Sequence, residues 1–183
     1  MFRRFIITCA ALSVLAAGAT AQEKTVMVGG AAMYPSKDII ENAINSKDHT
    51  TLVAAVKAAG LVDTLKGAGP FTVFAPTNAA FDKLPKGTVE MLLKPEHLDQ
   101  LKAVLTYHVV PGRLDSKMLM EWAHKGKGSA EMKTVSGGTP WIVWKDGTLW
   151  LKDGKGMTAA ITIADVYQSN GVIHVIDTVV MSH

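Results

Sequence analysis

Histidine, aspartate and serine are the residues with which this chain could do chemistry, and their spacing decides which chemistry is open. His108 and His174 sit among apolar neighbours, in Tyr107-His108-Val109-Val110 and Val172-Ile173-His174-Val175-Ile176. Enclosed imidazoles of this kind take a backbone or hydroxyl partner and serve the structure. A metal shared between them needs a third ligand, and no His, Cys or carboxylate cluster at ligand spacing supplies one. His174 and Asp177 lie three apart on an expected strand, so their side chains leave opposite faces. No Gly-x-Ser-x-Gly elbow or other activated nucleophile is present. Gly126-x-Gly128 and Gly154-x-Gly156 lack the strand-to-helix setting of a phosphate cradle. The methionines from Met27 to Met181 are irregularly spaced and read as core filler, not copper ligands. The expectation is a chain with no catalytic residue, no cofactor and no bound metal.

Recognition is the other chemistry open to it. Trp141, Trp144 and Trp150 flank Asp146-Gly147, a strong hairpin signal. Trp141 and Trp144 have opposite parity, so at least one faces away from the core, and an exposed Trp is a favoured anchor for a partner. The basic residues are almost all Lys, spread singly as on a solvated surface, with no Lys/Arg cluster interleaved with aromatics. That excludes a nucleic-acid partner. Net charge is +3, and Arg3 and Arg4 contribute two of those charges. Both lie in Met1 to Ala21, laid out as a cleaved secretory signal: a basic start, an apolar run from Phe5 to Ala17, and Ala19-Thr20-Ala21 before Gln22. The apolar run is too short to span a bilayer, so no stable membrane insertion is expected after cleavage. Cys9, the only cysteine, leaves with it. The mature chain then rests on its core alone, which a secreted domain of this size can do.

The elements that must position these residues follow in order. Residues 22–35 read as an extended leader packed on the domain. Ser36 and Asp38 open a helix with Ile39, Ile40, Ala43 and Ile44 on one face. Two further apolar stripes end at Gly60 and Gly67, making a helical layer. Gly69 to Phe81 is a strand–turn–helix corner: Phe71 and Phe74 lie on the strand, Pro76 stops it, Thr77 caps, and Asn78 to Phe81 turn back toward the strand. Pro95 starts a helix lined by Leu98, Leu101, Val104 and Leu105, which runs into a short strand over Tyr107 to Val110. Ser116 caps one more short helix. From Gly126 onward turn signals recur and β-formers dominate, predicting antiparallel sheet. Its last run, Val172 to Asp177, is apolar on both faces and belongs in the middle of the sheet.

Three of these stretches, in order and register, resemble the signatures of the fasciclin (FAS1) domain family. They are Phe71 to Phe81, Tyr107-His108, and Asn170-Gly171-Val172-Ile173-His174, and the match covers roughly residues 36–181. The resemblance implies an α+β compact wedge, a β-sandwich-like antiparallel core with a layer of short helices, occupying residues 36–183. It implies a non-enzymatic adhesion module, secreted or periplasmic, that binds a protein or glycan of a cell surface or matrix. In animal relatives integrin binding is attributed to an Asp-Ile pair before the Asn-Gly run and to the Tyr-His stretch. By position this points to Asp165, Val166 and Tyr107 as contacts, beside Trp141 and Trp144. The alternative is a periplasmic carrier holding an apolar small molecule between helices and sheet.

Overall fold

The strand that ends at Pro76 is the axis on which both halves of the molecule meet. A computed structural model describes residues 24–67 and 69–181. The expected signal segment with Cys9 lies outside the described residues. Strands β1 (Val26–Val28) and β2 (Ala31–Met33) form a hairpin. Helices α1 (Ile39–Ala43), α2 (Thr50–Ala58) and α3 (Val62–Lys66) follow, then β3 (Phe71–Pro76) and helices α4 (Asn78–Asp82), α5 (Thr88–Leu92) and α6 (Leu98–Tyr107). The chain continues through β4 (Val109–Pro111), α7 (Ser116–Lys125), β5 (Ser129–Glu131), β6 (Trp141–Lys145), β7 (Thr148–Lys152), β8 (Thr158–Gln168) and β9 (Gly171–Ile176).

Seven strands form one curled sheet in the order β4-β3-β9-β8-β7-β6-β5. The final apolar run is near the middle of it, as its pattern requires. The sheet is antiparallel except for one pair: β3 and β9 run parallel, Phe71 opposite Gly171 through Pro76 opposite Ile176. Parallel neighbours need a long crossover, and residues 77–170, from α4 through β8, lie between these two strands. Pro76 closes β3 as expected, beyond the Phe71–Val73 segment that β4 pairs.

Each face of this seam carries its own core. Val73, Ala75, Ile173 and Val175 pack against the helices through Ile39, Leu52, Val56 and Leu105. Phe74 and Ile176 pack on the other side with Leu119, Ile142 and Leu151. Residues alternate between the two cores because successive strand side chains point to opposite faces. The leader is more than an extended tail. Its Gly29-Gly30 turn, with both φ values positive, folds it into a hairpin, and Val28 and Met33 enter the helical core.

Local chemistry accounts for the helix starts. Asp38 and Glu41 form a reciprocal capping box on α1. Thr77 accepts from the Ala80 N–H to start α4, and buried Phe81 turns into the helical core. The first turn of α2 has no side-chain cap of its own. Asn78 supplies one from α4, its Oδ1 accepting from the Thr51 N–H at 3.0 Å. Three expectations are corrected. Ile44 is 50% exposed, because α1 ends at Ala43 before a second turn can bury it. Tyr107 and His108 close α6 as its last residue and C-cap, so the strand starts only at Val109. Asp115, not Ser116, caps α7, accepting from the Met118 N–H at 2.8 Å.

Candidate binding face

The β6–β7 hairpin is built as the sequence predicts. Asp146 and Gly147 both adopt positive φ, 52° and 77°, the conformation of a two-residue type I′ turn. The register then sets neighbours across the sheet. Glu131, Trp141, Lys152 and Thr158 form one row, and Ser129, Val143, Trp150 and Ala160 the next. Alternation puts Trp141, Val143 and Trp150 on the outer face, opposite buried Ile142 and Leu151. This outer face floors an open groove of about 1010 Å³, walled by the turns at Gly128 and Gly154–Gly156. Trp141 and Trp150 are partly exposed. The Trp150 indole N–H is shielded from water and has no hydrogen-bond partner among the described residues.

Lys127, Lys145, Lys152 and Lys155 also line the groove. They are dispersed in sequence and brought beside the tryptophans by strand pairing, which is why no linear pattern showed them. Asp153 is buried below, one carboxylate oxygen accepting from the Lys155 and Met157 N–H groups, the other from the Met181 N–H. Trp144, on the opposite parity, is partly buried against the core beyond the sheet, meets His124 edge-on at 6.1 Å and also contributes to the groove's lining.

The other expected contact residues are placed differently. Tyr107 and Val166 are buried, at 3% and 1% exposure, and offer a partner no surface. Tyr107 lies against Gly138, where an added Cβ would come within 2.4 Å of its ring. Burial, and then the Asp153 charge, push its phenol above the usual range. Asp165 is half-buried and engaged. It sits at φ +59°, in an irregular stretch of β8 where the register to β9 shifts between Ile163 and Val166. Its carboxylate accepts from the Ser116 N–H at 2.7 Å and from the Ser116 hydroxyl at 2.5 Å. The α7 N-terminus favours a negative charge there. Asp165 thus ties the start of α7 to the sheet.

Both histidines of the signatures are structural clips. His174 donates from Nε2 to the Leu114 carbonyl at 2.8 Å and accepts at Nδ1 from the Asp165 N–H at 3.3 Å. Its ring stacks on Phe74 at 5.6 Å. His108 donates from Nδ1 to the Val104 carbonyl at 2.8 Å and accepts at Nε2 from the Val180 N–H at 3.3 Å. Each pairing fixes the neutral tautomer. Burial holds His108 down to about 4 against the opposing pull of the Val104 carbonyl, and lowers His174 for the same reason.

Asn170 explains the remaining signature. Its amide accepts from the Ile39 N–H at 3.1 Å and donates to the Leu65 carbonyl at 2.7 Å, joining α1 and α3 to the sheet. At Gly171 a Cβ would meet the Phe71 carbonyl oxygen at 2.1 Å, so only glycine lets β3 and β9 approach. Sequence reasoning missed the buried Asn42–Gln168 amide pair. A polar residue on an apolar helix face is a signal of such a pair, though not of its partner.

The geometry is matched by known proteins. The fasciclin domain model matches residues 47–182. Protein sll1483 of Synechocystis is 46% identical over 159 residues, covering 87% of this chain and 81% of its own length. The cell surface glycolipoprotein MPB83 of Mycobacterium bovis is 33% identical, over 84% of this chain and 63% of its own length. The solved FAS1 domain pair from the insect cell adhesion molecule fasciclin I superposes with a TM-score of 0.72 at 18% identity. That match covers 81% of this chain and 52% of the insect one, and it shows the fold.

Proposed function

This chain belongs to the fasciclin domain family, and we propose that it is a secreted or periplasmic, non-enzymatic adhesion module. It holds a protein or glycan of a cell surface or matrix on the outer face of its β6–β7 hairpin. One observation carries this reading: Trp141 and Trp150 share an open sheet face with Val143 and a ring of lysines. Partly exposed indoles beside a groove are the usual anchors of recognition. A cell-surface relative and a fold shared with an adhesion molecule support it. Cleavage after residue 21, a leader over 22–35 and the domain over 36–183 complete the proposal. No described helix is long and apolar enough to cross a membrane.

The carrier alternative lacks room. The cavity between helices and sheet measures about 70 Å³, against roughly 300–1,000 Å³ for small-molecule pockets. The test is adhesion of the purified mature chain to cells or extracted matrix, compared with the Trp141→Ala/Trp150→Ala variant. Binding should fall at least about tenfold, with the variant still melting cooperatively. Undiminished binding by a folded variant would overturn the proposal.

A further inference from the structure

We propose that the occupant of this face is an acidic polysaccharide, its sugar rings stacked on Trp141 and Trp150 and its carboxylates or sulfates set against the flanking lysines. The inference rests on the hairpin face being the contact surface. Charge is the first argument. Four lysines line the groove, and Lys127, Lys152 and Lys155 form no ion pair with any described residue. Of the two acids there, Asp153 is buried with both oxygens occupied by backbone N–H groups. Asp146 is 4.0 Å from Lys145, with both side chains largely in water, where pairing contributes little. With the exposed Glu131 in the row beside Trp141 counted as well, the four lysines still outnumber the acids of this face, which keeps a small surplus of positive charge.

Shape and donor type favour a sugar polymer over an acidic protein. Trp141 and Trp150 are diagonal neighbours across paired strands, with Lys152 directly opposite Trp141. The two indoles thus stand at about the 7–8 Å spacing of diagonal pairs, with a lysine in the row of the first. Pyranose rings present flat C–H faces to indoles and carry their acids on the ring edge, which suits this arrangement. The hydroxyls of Ser129 and Thr158 line the same groove and can meet ring hydroxyls. Lysine supplies single charges with rotatable donors, suited to acids spread one per ring rather than to forked phosphate clamps. Glycines at Gly128, Gly154 and Gly156 leave the rim low, so a long chain can cross it.

Calorimetric titration of the mature chain with polygalacturonate tests this, with dextran as neutral control and polyglutamate as acidic non-sugar control. Polygalacturonate should bind, and at least about tenfold more weakly at 0.5 M than at 0.05 M salt, since screening acts on exposed charges. Lys145→Gln/Lys152→Gln, at two exposed positions that leave the core untouched, should weaken it at least about tenfold, as should Trp141→Ala. Equal binding of dextran would mean that charge is not read, and equal binding of polyglutamate would mean an acidic protein partner. Either result overturns the inference, as does unchanged affinity in the lysine variant or no binding of polygalacturonate. If polygalacturonate fails while Trp-dependent matrix adhesion persists, the adhesion reading stands without it; if both fail, both fall.

Discussion

The β3–β9 seam and the β6–β7 hairpin belong to one sheet yet treat their polar groups in opposite ways. At the seam His174 and Thr72 are enclosed and Asn170 half-buried, and each of these side chains has its partner in a backbone group from a distant element. At the hairpin the lysine side chains are exposed, beside partly exposed indoles. The difference teaches where to look for function. A polar side chain with every bond satisfied inside the protein holds the shape, whereas unspecific charge beside partly exposed aromatics is available to something outside. Asp165 is the instructive case, since its motif pointed outward and its bonds point in.

The largest effect that sharpens this contrast is His174→Ala. Removing the ring strands the Leu114 carbonyl and the Asp165 N–H and empties space beside Phe74, at a cost of about 3–5 kcal/mol. Urea unfolding should show it, and a loss under 1 kcal/mol would break the contrast. Acid is next. The folded chain keeps His108 neutral down to about pH 4, while the unfolded chain takes up that proton near 6.5. The stabilisation is complete above pH 6.5 and declines as pH falls, reaching about 3 kcal/mol lost by pH 4. His49 and His174 are lowered in the same direction by burial and add to the slope. Denaturant midpoints measured from pH 7 to 4 should fall steadily; a flat profile contradicts buried neutral imidazoles. The smallest effect is Asp165→Ala, which leaves the start of α7 without its acceptor and should cost about 1–3 kcal/mol. An unchanged melting temperature combined with lost adhesion would return Asp165 to the contact surface and erase the distinction.

How much of this was legible depended on range. The Thr77 cap, the Asp146-Gly147 turn and the two-sided apolar run of β9 are written within a few neighbouring residues, and they appeared where the residues placed them. The parallel pairing of β3 with β9 was not, because register between strands a hundred residues apart leaves no local trace. Parity said that one of Trp141 and Trp144 must face outward but could not choose, since the choice depends on which side α7 covers. The lysines read as scattered because only strand pairing gathers them. Tyr107 and Asp165 were drawn to the surface by analogy of motif; burial assigns the first to the frame, and hydrogen bonds from Ser116 the second.

The neighbours of β3 have a consequence for how the molecule comes into being. One flank is β4, the next strand in sequence; the other is β9, made of the last residues in any strand of the described chain. Neither core can close over the seam until β9 arrives, so a growing or threading chain keeps its central apolar ladder uncovered until residues 171–176 are in place. Long-range closure of this kind is slow and leaves time for unwanted association. A copy lacking β9 would not be a slightly smaller version of this protein but an unfinished one.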